Sequence, residues 1–377
     1  MTEGGADGFR PPPYPYDRLD GARRAAAAHE GGVVDLSVGT PCDPPPPEVV
    51  ATLSSSGAER GYPASVGSAA FREAAAGWME RRLGVRLPPS QVAACVGTKE
   101  FVATLPQWLH LRTPGRDTIL HPAVAYPTYE MGAVLAGCRA VAVPVDDRWR
   151  LDLSAISEED SARALALWVN SPGNPAGQID DLVAAAEWGR RRGVPVFSDE
   201  CYTEFTWDGP PRTILEAGAE GVVAVHSVSK RSNLAGVRAG FYAGDGDLVA
   251  YLSEVRKHAG FMVAGPVQAA AVVAWSDQSH VDDQRERYRS RLERFAKVLD
   301  AVGVPTPLPG GGFYLWAPAP DAGDGSPPAW SLTDRLAREG GVLVSPGEFY
   351  GAGGHIRVAM VAPDDRLELV ARRLGVA

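Results

Sequence analysis

Lysine is nearly absent from this chain: of its 37 basic residues only four are lysines. Cysteine is equally scarce. Cys42, Cys95, Cys138 and Cys201 lie far apart and form no Cys-x-x-Cys pair, so neither a disulfide framework nor a thiolate metal site is expected. They read as reduced thiols of a cytoplasmic protein, with Cys201 a small packed hydrophobe. No run of roughly 18 apolar residues occurs, so no transmembrane helix is expected. Met1 to Asp7 lacks the basic-then-apolar pattern of a secretion signal. A surplus of positive charge is missing too. The net charge of −9 argues against nucleic acid or an anionic membrane surface as the main partner. What remains is a 377-residue chain of ordinary apolar content, long enough for a large core in two structural domains.

Against that background one lysine stands out. Lys230 follows the apolar run Val222-Val223-Ala224-Val225-His226 and the hydroxyls of Ser227 and Ser229, and a Gly-rich stretch leads from it to Arg238 and Gly240. A lysine among small residues suits a Schiff base with an aldehyde cofactor. The hydroxyls and Arg238 suit a phosphate.

The rest of the chain gives this reading company. Residues 1 to about 17 read as an extended arm, and Pro44 to Pro47 as a non-helical crossing between units. Ser68 is set to cap a helix running to about Leu83. Val92 to Val96 reads as a strand entering Gly97-Thr98-Lys99-Glu100 and then a helix, a turn whose free N–H groups suit a phosphate. Tyr126 follows a strand at Asp117 to His121, where a ring can cover a flat cofactor. The strand Ala164 to Val169 runs into Asn170-Ser171-Pro172-Gly173-Asn174-Pro175-Ala176-Gly177. The strand Val194 to Ser198 ends in Asp199-Glu200-Cys201-Tyr202. Strands and helices alternate from about residue 90 to 245, which predicts a mostly parallel sheet with helices on both faces and ligands beyond the strands' C-terminal ends. Thr98, Tyr126, Asn174, Asp199 and Lys230 all fall just after strands. The last section mixes strands and helices, includes the charged helix Val281 to Val302, and reads as a smaller α+β domain shared with the N-terminal stretch. The expected boundaries are 1–47, 48–279 and 280–377. Gly310-Gly311-Gly312 reads as flexible.

Taken together, these motifs resemble the fold-type-I pyridoxal-phosphate aminotransferases of class I/II, from about Asp35 to Arg372. The resemblance implies an α/β fold with pyridoxal 5'-phosphate as cofactor and no metal. It implies Lys230 as the cofactor-binding and proton-shuttling lysine, Asp199 as partner of the ring nitrogen, and Tyr202 with Asn174 as partners of the ring oxygen. Tyr126 would stack on the ring. Gly97, Thr98, Lys99, Ser227, Ser229 and Arg238 would surround the phosphate. Tyr62 would reach the phosphate of a neighbouring subunit, implying a homodimer with shared sites. Gly39 and Arg357 would hold the substrate α-carboxylate, beside Asn174.

Several segments look closest to actinobacterial N-succinyldiaminopimelate aminotransferases, among them His226-Ser227-Val228-Ser229-Lys230-Arg231-Ser232-Asn233 and Glu254 to Val263. That resemblance implies transfer of the amino group of glutamate to N-succinyl-2-amino-6-oxopimelate, in lysine and diaminopimelate synthesis. Another class I/II aminotransferase of a specialised pathway, or a carbon–sulfur lyase, are the alternatives. Arg256, Lys257 and His258 read either as anchors for distant carboxylates or as ordinary helix-end cations. Ala176 stands where relatives carry threonine, which removes a hydroxyl and keeps Asn174.

Overall fold

A computed structural model describes residues 8–376. The start of the expected arm, and with it the Met1 to Asp7 stretch read for a signal, lies outside the described residues. The centre is a seven-stranded sheet built from β2 (Val92–Cys95), β3 (Thr118–Pro122), β4 (Arg139–Val143), β5 (Ala164–Asn170), β6 (Val196–Asp199), β7 (Val222–Ser227) and β8 (Gly240–Gly244), after the short β1 (Val34–Asp35). Its spatial order is β2-β8-β7-β6-β5-β3-β4. The pairs among β3 to β7 are parallel, while β8 is antiparallel to both β7 and β2.

That single reversal matters. Because β8 runs backwards, β2 points the same way as the parallel strands, and Cys95, Gly240 and Ser227 meet in register at one edge. The ends of β2, β5, β6 and β7 and the start of β8 therefore share one rim, which brings Thr98, Asn170, Asp199, Ser227 and Arg238 within reach of one another.

Apart from the edge strand β4, both sheet faces are buried, so the strands read as near-continuous apolar runs. Alternate residues go to opposite sides: Val222 and Ala224 pack with Trp78 and Trp275, while Val223 and Val225 pack with Phe101 and Leu252. The helix Ala69–Leu83 on the first face is capped as expected, with Ser68 Oγ accepting from Phe71 N at 3.1 Å. The helix Thr98–Arg112 lies on the other face and starts at the rim.

A second core gathers around β9 (Tyr314–Pro318), β10 (Val342–Leu343), β11 (Ser345–Pro346) and β12 (His355–Ala359), with the helices Ser279–Ala301, Pro328–Gly340 and Asp364–Arg373. β9, β12 and β11 form an antiparallel sheet, and β1 pairs with β10, so the N-terminal segment joins this part.

Three sequence expectations need correction. Pro47 opens the helix Pro47–Ser55. Proline fits a first helical position, where its missing N–H has no partner to lose. Gly310 to Gly312 is packed, not loose: Gly311 N donates to Gly177 O at 2.9 Å and Gly312 N to Phe205 O at 2.9 Å. A Cβ on Gly311 would come 2.5 Å from Pro172. Pro15–Leu19 forms a 3₁₀ turn where an extended arm was expected. No described helix is long and apolar enough to cross a membrane.

Candidate active site

The strand ends and the second core enclose a cavity of about 500 Å³. One wall is the turn after β2. Gly97 has φ +76°, and a Cβ there would sit 2.2 Å from Arg238 Nη2. Only glycine lets the guanidinium come this close and adopts this backbone without strain. Thr98 opens its helix beside it, and its Oγ1 accepts from Cys201 Sγ at 3.2 Å. Ser227 Oγ accepts from Ser229 N at 3.0 Å and lies 2.8 Å from Ser229 Oγ. Arg238 donates to Ala235 O at 2.7 Å and, among the described residues, has no carboxylate partner. A helix start, two hydroxyls and an unmatched guanidinium make a cup for a phosphate.

Asp199 stands at the end of β6. Its Oδ2 accepts from Tyr129 Oη at 3.0 Å and its Oδ1 from Cys201 N at 3.2 Å. Burial pushes its carboxyl up from the ordinary range, so an unpaired anion is costly here and a cationic partner is wanted. Lys230 faces the cavity. Its Nζ donates to Gly39 O and lies 5.6 Å from the centre of the Phe313 ring. Burial lowers its pKa to about 8. Tyr202 Oη lies 2.8 Å from Tyr314 Oη, and burial pushes both phenols up. A Cβ on Gly39 would fall 2.1 Å from Tyr314 Oη, so Gly39 must be glycine for this wall to close.

Arg357, on β12, is 1% exposed. Its Nη1 donates to Asn174 Oδ1 at 2.8 Å, and its Nη2 to Ser37 O at 2.5 Å and Tyr16 Oη at 3.2 Å. It lies between the rings of Tyr314 and Tyr350, 4.3 and 4.6 Å from their centres. Asn174 is held by its backbone N, which donates to Asn170 Oδ1 at 2.8 Å. Tyr126 lines the cavity, and Lys99 Nζ sits 5.8 Å from its ring centre, 5.3 Å from that of Tyr14 and 3.5 Å from Tyr14 Oη.

The cavity thus brings together Gly39, Thr98, Lys99, Tyr126, Asn174, Asp199, Tyr202, Ser227, Ser229, Lys230, Arg238 and Arg357, with Gly97 directly behind Arg238. Tyr62 is not among them; it is 99% exposed on the surface of the single chain. Asn170, the other asparagine of the Asn174 loop, also lines the cavity, as do Tyr129, Tyr314, Tyr14 and Tyr16, which were not singled out from the sequence. Tyr129 lies three residues past Tyr126 at the first turn of Thr128–Leu135, a spacing that puts both near one helix start. Tyr314, Tyr14 and Tyr16 gave no local signal. Cys201 lines the cavity with its thiol on Thr98 Oγ1, and burial pushes that thiol well above its ordinary range, in keeping with a packed, uncharged side chain. Arg256 turns inward: it makes a two-pronged pair with Glu100 at 2.6 and 2.7 Å and lies over Phe101, Tyr242 and Phe261. It braces the turn after β2, since Glu100 Oε2 also accepts from Val96 N at 3.1 Å.

The model of the family described as aminotransferase class I and II matches residues 31–374. A probable aminotransferase of Mycobacterium tuberculosis is 43% identical, over 96% of this chain and 85% of that protein. The 4-dedimethylamino-4-oxo-anhydrotetracycline transaminase of Streptomyces rimosus is 41% identical, over 96% of this chain and 99% of its own length. Among solved structures, a probable N-succinyldiaminopimelate aminotransferase from Thermus thermophilus superposes with a TM-score of 0.84 at 31% identity, covering 97% of this chain and all of the other.

Proposed function

The chain belongs to the class I and II aminotransferases, and from that premise we propose that it transfers the amino group of glutamate to N-succinyl-2-amino-6-oxopimelate. Enzymes of this family depend on pyridoxal 5'-phosphate. The residues present fit it: Gly97 leaves Arg238 a cradle that a Cβ would fill, and Asp199 is a buried carboxylate in want of a cation. Bound, this cofactor supplies a ring that takes up the electrons left when the substrate Cα loses its proton.

The chain's own residues do the rest. Thr98, the Lys99 backbone, Ser227, Ser229 and Arg238 hold the phosphate. Asp199 keeps the ring nitrogen protonated, and Tyr129 and the Cys201 amide hold Asp199 in place. Tyr202 and Asn174 donate to the ring oxygen, and Tyr126 covers the ring. Arg357 grips the substrate α-carboxylate with its planar fork, beside the Gly39 backbone. Lys230 Nζ takes the proton from the substrate Cα and delivers it back to the reacting centre. Tyr62, left at the surface, completes the site of a second copy in a homodimer. The same reading keeps the division of the chain at residues 47 and 279.

The observation that carries the substrate class is charge. The cavity holds four cations, Lys99, Lys230, Arg238 and Arg357, against one carboxylate, Asp199. Arg238 would hold the cofactor phosphate, Arg357 would hold the substrate α-carboxylate, and Lys230 does the chemistry. Lys99 remains, at the rim among tyrosines and without a carboxylate partner among the described residues. A distant carboxylate on the substrate is what such a cation suits. Similarity to the probable N-succinyldiaminopimelate aminotransferase supports the named acceptor. Similarity to the tetracycline-pathway transaminase over its whole length favours a second reading, an aminotransferase of a specialised pathway.

Two results are expected. Lys99→Met lowers kcat/KM for the succinylated acceptor by about 30-fold, the loss of one charged hydrogen bond of about 2 kcal/mol. It leaves pyruvate, which has no distant carboxylate, nearly unchanged. Equal losses on both acceptors would remove Lys99 from substrate recognition. The second concerns pH. An amine with pKa about 8 is charged below that pH and uncharged above it. Only the uncharged amine attacks an aldehyde. Cofactor uptake by the apo-protein should therefore accelerate as pH rises toward 8 and level off above it. A profile still climbing beyond pH 9 would show Lys230 to be unperturbed.

A further inference from the structure

Behind the wall that carries Asp199 and Ser227 lies a second cavity of about 10 Å³. That is room for about one water molecule. Residues lining it contribute five buried polar atoms that have no hydrogen-bond partner among the described residues: Glu200 Oε2, both ring nitrogens of His226, Arg231 Nε and Trp275 Nε1. These four side chains are each 2% exposed or less. Orphaned buried polar atoms are few in folded proteins, and five around one small cavity is a concentration that asks for a common partner.

The neighbouring groups are otherwise engaged. Glu204 accepts from Trp78 Nε1 at 2.8 Å and from Arg82 at 3.0 Å, its Oε1 lies 3.6 Å from Arg231 Nε, and Arg231 donates to Ser232 Oγ at 3.1 Å and Ala274 O at 2.5 Å. Glu200 Oε1 accepts from Ile214 N at 2.8 Å, which leaves Oε2 facing His226 Nε2 at 3.3 Å. Burial favours the uncharged form of both partners, pushing Glu200 up to about 8 and His226 down to about 3. Position gives the pair its importance. Glu200 follows Asp199 directly and His226 precedes Ser227 directly, on adjacent strand ends, and Glu200 N donates to Val225 O at 2.9 Å.

We propose that Glu200 and His226 form an uncharged, hydrogen-bonded pair completed by one water in this cavity, and that the pair positions Asp199 and Ser227 from behind. Glu200 carries the proton and donates it to the water, while its Oε2 accepts from His226 Nε2–H. The water's second lone pair accepts from the Trp275 N–H, it donates to the unprotonated Nδ1 of His226, and Arg231 Nε is left to the Glu204 carboxylate. Glu200 and His226 touch neither cofactor nor substrate; they are positioning residues. The inference rests on the assignment of Asp199 and Ser227 to the cofactor made above.

Equilibrium dialysis of pyridoxal phosphate against the wild-type apo-protein comes first; no binding there overturns the site assignment itself. Given binding, Glu200→Ala and His226→Ala should each weaken it by about tenfold, the order expected when a buried partner is left unsatisfied. Glu200→Gln, which matches the shape of the protonated acid, should stay within about twofold of wild type. Infrared spectra of the wild-type protein should show a protonated-carboxyl band that is missing in Glu200→Gln, and a crystal structure should show ordered water between Glu200 and His226. Unchanged affinity in Glu200→Ala, a Glu200→Gln loss as large as that of Glu200→Ala, no protonated-carboxyl band, or a dry cavity would each overturn the proposal. The infrared readout compares wild type with Glu200→Gln and the crystallographic one uses wild type alone, so both decide even if an alanine variant does not fold.

Discussion

Lys230→Ala should reduce transamination by at least ~10⁴-fold, the upper range for losing a positioned acid–base group. The reason lies in the geometry. Among the cavity-lining residues, Lys230 is the flexible amine buried next to Asp199, and its lowered pKa of about 8 makes it a usable base near neutral pH. Lys99, the other lysine in the cavity, sits at the rim over Tyr14 and Tyr126 and cannot substitute from there. The variant should still bind pyridoxal phosphate, because the phosphate cup and Asp199 are untouched, but the near-visible absorbance of the lysine-linked cofactor should vanish. Turnover within tenfold of wild type would overturn the assignment.

Arg357→Ala should produce the second-largest effect, and a different pattern. The guanidinium is fully enclosed, paired with Asn174 and Ser37, and sandwiched between two tyrosine rings. Its removal would delete the proposed two-pronged carboxylate contact and leave Asn174 Oδ1 without its donor. Truncating one partner of such a buried charged contact costs about 4 kcal/mol, roughly a thousandfold in kcat/KM. Most of the loss should fall on KM for glutamate, and cofactor affinity should hold. Arg357→Lys should recover only part of the loss, because a single ammonium restores the charge without the planar fork. An unchanged KM for glutamate would place Arg357 outside the substrate site.

Much of this arrangement is legible in the sequence because strand ends can be read locally. Lys230, Asp199 and Asn174 each follow an apolar run, and a parallel sheet forces such positions onto one rim. The reversed strand β8 is harder to see. Gly240-Phe241-Tyr242-Ala243-Gly244 is short and bracketed by glycines, and only its pairing between β2 and β7 makes it a strand. Yet that reversal is what carries Arg238 to the cup.

The tyrosines were lost for a similar reason. Tyr16 comes from a Pro-rich arm and Tyr314 from the second core, and they meet Arg357 only after distant segments fold together. Their importance lies in contacts separated by some 40 to 340 residues, which no local pattern records. Arg256 shows the converse. Read locally it is a helix-end cation, but its neighbours Phe101, Tyr242 and Phe261 draw it inward to Glu100. The glycine triplet follows the same rule, since its small size serves close packing against the Asn174 loop and not freedom of movement.

Single-turnover absorbance of the purified holoenzyme tests the central claim most directly. Glutamate alone should convert the lysine-linked cofactor to its amine form and bleach the near-visible band. N-succinyl-2-amino-6-oxopimelate should then restore the band faster than any keto acid lacking a distant carboxylate. If glutamate leaves the spectrum unchanged, or if only acceptors without a second acid restore it, the account of donor and acceptor is contradicted.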